Sequence, residues 1–185
     1  MTPKTICIDI DNTIADYTSA LRTYCQETYR DKYPCPDPIA YDFSETPGWP
    51  FAGDARRFHY THKCAVGDRL YLKEEPYPLA PETIRMLRNQ GSRIIISTVR
   101  RDDPSKQTER WLRQHRIPFD GLHYGDKLDI RADVLIDDNP QTLLGAQDVP
   151  GLLTLHPNHE YCRSMPGITF NSWASVPDLI AETRR

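Results

Sequence analysis

Short apolar runs separated by amphipathic stretches set the rhythm of this chain, and the first run ends in acids. Ile6, Ile8 and Ile10 interleave with Cys7 and Asp9, and the pattern breaks at Asp11-Asn12-Thr13. That reads as a buried strand opening into a turn. RIIIST over 93–98 is almost wholly apolar and β-branched, as expected of a parallel strand covered on both faces. Residues 121–124 predict a short third strand, 132–138 (ADVLIDD) a fourth, and 151–155 and 167–170 two more.

Helical spacing fills the intervals. Residues 17–33 carry Tyr17, Leu21, Tyr24, Cys25 and Thr28 on one face, and 52–66 carry Phe58, His62 and Ala65. Ala80-Pro81-Glu82 starts a helix that runs through Ile84 and Leu87 to Gly91. Asp103-Pro104 predicts an N-cap and first-turn proline for a helix bearing Thr108, Trp111, Leu112 and His115. Asn139-Pro140 caps another, and Ser172-Trp173 begins a terminal helix through Leu179 and Ile180. Strand and helix in alternation predict an α/β fold, a doubly wound, Rossmann-like parallel sheet with ligands at the carboxyl ends of its strands.

One passage breaks the rhythm. Pro34, Pro36, Pro38, Pro47 and Pro50 exclude a regular strand or helix, yet Tyr41, Phe43, Trp49 and Phe51 are too many aromatics for a solvated loop. Residues 18–75 therefore predict a small, mainly helical cap inserted after the first strand. The core domain is then 1–17 together with 76–185.

The composition narrows the class. A chain of 185 residues supports one main hydrophobic core with an insertion. A net charge of -3 and a pI near 6.1 argue against binding a nucleic-acid polymer and leave small anionic substrates open. Five cysteines without regular spacing read as reduced thiols, which points to the cytoplasm. The first strand begins too early for a secretory leader, and no apolar run reaches membrane length. No membrane partner is expected; an oligomer remains open.

The chemistry gathers at the predicted strand ends. If the first strand stays regular, Asp9 and Asp11 share one face and repel unless a cation lies between them. Mg²⁺ suits such hard oxygen ligands. The second strand ends in Ser97-Thr98, Lys127 follows the third, and Asp137-Asp138 ends the fourth. A parallel sheet brings these ends to one edge, where acid pair, hydroxyl, ammonium and acid pair compose a magnesium and phosphoryl site. Each residue also has a plainer use. Lys127 and the pair Arg100-Arg101 could be solvated loop residues, Asp137-Asp138 could cap a helix, and Thr98 could be a strand residue only. His59, His62, Cys64 and Cys35 match no closed zinc spacing.

In this order, DIDNT, a Ser or Thr ending strand two, Lys127 and an acidic pair, the chain resembles the haloacid dehalogenase superfamily of phosphotransferases over 4–144. The resemblance implies that Asp9 is the nucleophile that forms an aspartyl-phosphate and that Asp11 is the general acid and base. Mg²⁺ would be held by Asp9, the main-chain carbonyl of Asp11, and Asp137 or Asp138. Thr98 would hydrogen-bond the phosphoryl group, with Ser97 the competing hydroxyl, and Lys127 would balance charge. Arg100 is a candidate for substrate phosphate.

YDFSE, EEPYPLAPETIRML, IPFDGLHYGDK, ADVLIDDNP, GLLTLHPNHEY and ITFNSW are closer to the 5'(3')-deoxyribonucleotidase branch and its bacterial nucleotidase-like relatives. That branch implies a Mg²⁺-dependent phosphomonoesterase acting on (deoxy)nucleoside monophosphates. Phe43 and Trp49 would offer flat surfaces to the base, or with the other rings of the stretch they only pack the cap onto the core. Asn12 stands where many members have Gly, and Asn is the residue that best tolerates a left-handed turn in its place. A phosphatase of another small metabolite or sugar is the alternative on the same scaffold. A signalling receiver domain, which has its acid pair on the first strand and its acceptor on the third, does not fit the order found here.

Overall fold

The computed structural model describes residues 3–100 and 106–182. Six strands, β1 (Thr5–Ile8), β2 (Arg93–Thr98), β3 (Gly121–Tyr124), β4 (Val134–Ile136), β5 (Leu153–Pro157) and β6 (Ile168–Phe170), form one sheet. Their order is β3-β2-β1-β4-β5-β6, and every pairing is parallel. The order reverses beside β1, so the crevice of such a sheet falls where the first acidic loop leaves it.

Seven helices connect the strands among the described residues: α1 (Tyr17–Tyr29), α2 (Ala55–Gly67), α3 (Leu70–Lys73), α4 (Ala80–Asn89), α5 (Gln107–Gln114), α6 (Pro140–Ala146) and α7 (Val176–Glu182). One face of the sheet contributes Ile6, Ile8, Ile94, Ile96, Val134 and Ile136 to the main core, against Ile84 and Leu87 of α4, Trp111 of α5 and Ile180 of α7. The β-branched strands are buried on both faces, as the sequence pattern requires.

Several boundaries differ from expectation for local reasons. β1 stops at Ile8 instead of Ile10 because the carbonyl of Ile10 accepts from the amides of Thr13, Ile14 and Ala15 and turns the chain. Helix α1 stops four residues short of 33, at Tyr29, where Arg30 adopts a left-handed conformation (φ 53°) and its amide closes on Gln26. The terminal helix is preceded by a 3-10 turn at Trp173–Ser175, capped by Ser172. The expected cap at Asp103-Pro104 lies outside the described residues; α5 follows Lys106.

The segment between β1 and α4 has a hydrophobic cluster of its own. Tyr17, Leu21 and Cys25 of α1, Cys35, Phe43, Trp49 and Phe51 of the proline-rich stretch, Ala65 of α2 and Leu70 of α3 pack together. Its two connections to the sheet run side by side: Asp16 N donates to Glu75 O (2.9 Å) and Tyr77 N to Ile14 O (2.7 Å). Trp111 Nε1 ties the second connection to α5 through the carbonyl of Glu74 at 2.7 Å.

Trp49 lies inside this cluster, 2 % exposed. Its ring stacks on Phe51 at 5.4 Å and meets Phe43 edge-on, while its Nε1 donates to Pro36 O (3.0 Å). The expectation that it offers a free face to a ligand is therefore corrected: both its apolar body and its polar tip are used in packing. Truncating a buried Trp typically costs about 3–5 kcal/mol. We expect Trp49→Ala to lower unfolding free energy by about that much in denaturant titration. Tyr60→Ala, on the 70 % exposed ring of α2, should change it by under about 0.5 kcal/mol.

Candidate active site

The loop after β1 splits its two acids. Asp9 N continues the sheet pairing by donating to Ile136 O (2.9 Å), and the Asp9 side chain is buried at the strand end. Asn12 then takes a left-handed conformation (φ 54°), and its Oδ1 accepts from both the amide (3.0 Å) and the hydroxyl (2.9 Å) of Thr18. A glycine would allow the same turn, but only Asn also fastens it to α1. As a result Asp9 and Asp11 do not stack on one regular face. They enter two different charge clusters.

Asp9 enters the first cluster. Lys127 stands on a 3-10 turn (Lys127–Asp129) that Asp126 caps by accepting from Leu128 N. Its ammonium reaches Asp9 Oδ1 at 2.7 Å and Asp137 Oδ2 at 2.8 Å. At 6 % exposure it is no solvated loop lysine. Burial alone would discharge it, but Asp9 and Asp137 outweigh that and raise its pKa well above the ordinary value. Asp9, Asp137 and Asp138 place one ligand oxygen each within 4.8 Å of the others. Burial, then the charges of Asp137 and Asp11, push the Asp9 carboxyl up to about 7 against the opposing pull of Lys127. Burial, then the charges of Asp9 and Asp137, raise Asp138 as well, while a hydrogen bond from Tyr161 Oη to its Oδ2 (2.5 Å) opposes the rise.

Three carboxylates around one ammonium retain excess negative charge in a buried, all-oxygen donor set. That donor set fits a small hard divalent cation. Among the described residues it is the one group of acids, histidines or cysteines close enough to hold a metal. His59, His62, Cys64 and Cys35 form no such group. The carboxylate of Asp11 is not a member, and what the resemblance assigns to a metal from Asp11 is its main-chain carbonyl.

Asp11 belongs to the second cluster. Arg100 forks onto it, with Nε at 3.1 and 3.0 Å from its two carboxylate oxygens and Nη2 bonded to Oδ1. The same Nη2 bonds Glu74 Oε2, and the guanidinium lies 3.8 Å from the centroid of the Tyr71 ring. Arg100 is 3 % exposed, so a solvated role is excluded; two carboxylates take its Nε and Nη2, while its buried Nη1 has no hydrogen-bond partner among the described residues. Burial acts to lower its pKa, yet Asp11 and Glu74 raise it overall. Burial also raises Glu74 well above the usual carboxylate range, with Arg100 opposing.

The hydroxyl candidates separate by the pleat. Ser97 is buried on the face that carries Cys7 and Ile95, while Thr98, on the opposite face, adjoins the loop of Val99 and Arg100 and accepts from Arg100 N at 3.3 Å. Asp137 Oδ1 accepts from Asn139 N (3.0 Å), and Asn139 caps α6 through Gln141 N. The capping that Asp137-Asp138 might have served thus falls to Asn139.

A cleft of about 260 Å³ opens over the strand ends. Asp11, Asn12, Asp138, Val99 and Arg100 form its floor, and Tyr17, Tyr41, Phe43, Phe58, His59, His62 and Tyr71 its wall. His62 is bracketed by two phenols, Tyr17 Oη at 2.8 Å from Nδ1 and Tyr71 Oη at 3.2 Å from Nε2, and burial lowers its pKa. Phe43, foreseen as a ligand surface, lines this wall; Trp49 does not. A larger depression of about 550 Å³ between α1 and α2, near Tyr24, Glu27, Asp68 and Lys73, is shallow and distant from the carboxylates. The cleft, not the larger depression, holds the convergent chemistry. Glu74, His62, Tyr71 and Tyr161 were not foreseen as site residues, since a single Glu of Glu74-Glu75 or a Tyr in a loop carries no local mark of burial.

Comparison with known proteins agrees with this geometry. Residues 3–185 match the family described as "5' nucleotidase, deoxy (Pyrimidine), cytosolic type C protein". A Bacillus cereus protein named "Putative nucleotidase" is 31% identical over 124 residues, which span 60% of this chain and 63% of that protein. A haloacid dehalogenase-like family hydrolase from Streptococcus pneumoniae superposes with a TM-score of 0.66 at 16% identity, covering 96% of this chain and 99% of the other. A crystal structure described as a "predicted phosphatase" from Clostridium acetobutylicum gives 0.63 at 14% identity, covering 98% of this chain and 99% of the other. At such identities the superpositions show the fold. The family match covers nearly the whole chain, and the protein belongs to the cytosolic type C 5'-nucleotidase family, on the haloacid dehalogenase fold.

Proposed function

We propose that this protein is a Mg²⁺-dependent phosphomonoesterase that hydrolyses (deoxy)nucleoside monophosphates through an aspartyl-phosphate on Asp9. The observation that carries the reading is the buried Lys127 ammonium shared by Asp9 and Asp137 beneath an aromatic-walled cleft. Asp9, the carbonyl of Asp11, and Asp137 or Asp138 would hold the cation. When bound, it would offset the acids' charge and polarise the phosphoryl oxygens.

Asp9 attacks phosphorus in line and the ester oxygen departs. Asp11 gives that oxygen its proton and later takes one from the water that cleaves the aspartyl-phosphate. Lys127 neutralises charge on Asp9 and on the transferring group, and the Thr98 hydroxyl donates to a phosphoryl oxygen. Arg100, held by Glu74, orients Asp11. Residues 18–75 act as the cap that closes over the strand ends, and the aromatic wall receives the base. No helix among the described residues is long and apolar enough to cross a membrane, and reduced thiols agree with a cytoplasmic setting.

Asp9→Asn should abolish turnover of p-nitrophenyl phosphate and nucleotides while the metal-free protein melts no lower than wild type, because a repelled buried charge is removed. Turnover near the wild-type rate in this variant would exclude Asp9 as nucleophile.

The pH dependence follows from the raised Asp9 carboxyl. Its folded-state value of about 7 exceeds the ordinary 3.8, so its contribution to metal-free stability is fully present below about 4. That contribution is lost as pH rises through about 7. In EDTA the melting temperature should therefore fall between about pH 4 and 7. The stabilisation by added Mg²⁺ should be larger at pH 8 than at pH 5, and a shift independent of pH would contradict it.

Tyr41→Leu removes the 43 % exposed ring of the cleft wall, whereas Phe43 is 4 % exposed with its ring stacked on Phe58. Stacking on a base is worth about 1–3 kcal/mol in single-strand sites. The variant's kcat/KM for a deoxynucleoside monophosphate should thus drop about fivefold or more relative to its kcat/KM for p-nitrophenyl phosphate. Parallel losses on both would favour a small sugar or other metabolite phosphate, and a phosphatase screen across both classes would name it.

A further inference from the structure

The catalytic acids are embraced by a loop that the reaction scheme does not use. After β5 the chain runs Pro157-Asn158-His159-Glu160-Tyr161-Cys162 and returns two aromatic side chains toward the strand ends. Tyr161 Oη donates to Asp138 Oδ2 at 2.5 Å. Its ring lies parallel to that of His159, with centroids 5.4 Å apart and planes 21° apart. His159 Nε2 in turn lies 2.7 Å from the carbonyl of Asn12, and since a carbonyl only accepts, the neutral ring carries its proton on Nε2.

The loop itself is firmly held. Cys162 is fully buried, its amide donates to His159 O (3.2 Å) and its Sγ lies 3.1 Å from Pro157 O. Leu143 of α6, Tyr161 and Cys162 form a small hydrophobic cluster with Met165. Burial and the nearby Asp138 charge keep the Tyr161 phenol protonated, so it acts only as a donor.

The consequence is geometric. Lys127 bonds Asp9 and Asp137 but not Asp138, and the Asp138 carboxylate takes its side-chain hydrogen bond from Tyr161. That bond fixes the rotation of the Asp138 carboxylate, which places one oxygen within 4.8 Å of ligand oxygens of Asp9 and Asp137. We propose that Tyr161 is a positioning residue that presents Asp138 to the divalent cation, with His159 as the stacked backing that pins Tyr161 to the Asn12 turn. The loop after β5 thereby joins the acids at the ends of β1 and β4. This inference rests on the magnesium reading above, and outer-shell partners of ligating carboxylates are worth about 10–100-fold in metal affinity.

The test measures Mg²⁺ alone binding to the full chain by titration calorimetry, without substrate. Binding by wild type is the premise; no binding would defeat the magnesium reading itself. Tyr161→Phe removes only the hydroxyl and keeps the ring stack. The expected result is a Kd for Mg²⁺ raised about tenfold or more, with the metal-free melting temperature within a few degrees of wild type. A Kd within twofold of wild type would overturn the inference while leaving the magnesium site standing. Should the variant fail to fold, wild-type protein labelled at tyrosine Cζ gives the same answer by carbon NMR. The Tyr161 resonance should move along the calorimetric saturation curve, and a resonance that stays fixed through saturation would overturn the proposal.

Discussion

One buried ammonium makes the rest of the site possible. Unit charges about 4 Å apart interact by roughly 4 kcal/mol at an effective dielectric near 20, so three carboxylates at the strand ends would repel strongly without a cation. Lys127 lies within 2.8 Å of two of them. It cannot balance all three; burial first, and then the neighbouring acids, raise Asp9 and Asp138. The fold supplies the geometry: parallel pairing of β1 with β2 and β4 brings Asp9, Asp137 and Asp138 to one edge, and the 3-10 turn after β3 delivers Lys127 from the side. A fold assembled around an uncompensated negative pocket is predisposed to take a divalent ion and a phosphoryl group together.

A second ionic cluster, built around Arg100, connects this pocket to the inserted segment. Glu74 lies just after α3, at the start of the connection that returns the chain to the sheet, and Trp111 Nε1 holds its carbonyl from α5. Arg100 thus touches the Asp11 carboxylate, the returning connection and the Tyr71 ring of the cleft wall at once. Breaking a buried pair by removing one partner typically costs about 3–5 kcal/mol, because the other charge is stranded. Any movement of the insert relative to the sheet has to carry Glu74 with it or part it from Arg100. The orientation of Asp11 and the position of the cleft wall are therefore mechanically linked.

How much of this was legible depends on whether the signal was periodic or tertiary. The strands RIIIST and ADVLIDD were readable because a run buried on both faces must be apolar throughout, and their chemistry was readable because acids and hydroxyls at strand ends break that rule visibly. Lys127 was recoverable only from its place between two strands, since an isolated lysine in GDKLD looks solvated. Trp49 stays undecided in the sequence between a ligand surface and packing, because proline-rich aromatic stretches look alike whether the rings face a ligand or each other. Here the indole N–H finds Pro36 O and the ring finds Phe51. The ionic partners of Arg100 could not be read, and neither could Glu74 or Tyr161. Their roles come from partners 89, 26 and 23 residues away, and no window of local sequence holds both ends of such a contact.

In the proposed mechanism Asp9, and no other acid in the cluster, carries the phosphoryl group. Borohydride reduces an acyl phosphate to the alcohol, so quenching the enzyme into borohydride during turnover of p-nitrophenyl phosphate converts a phosphorylated aspartate to homoserine. Peptide mass spectrometry then reads the position. Homoserine is expected at position 9, dependent on both substrate and Mg²⁺. Homoserine at position 11, 137 or 138, with Asp9 unchanged, would contradict that mechanism.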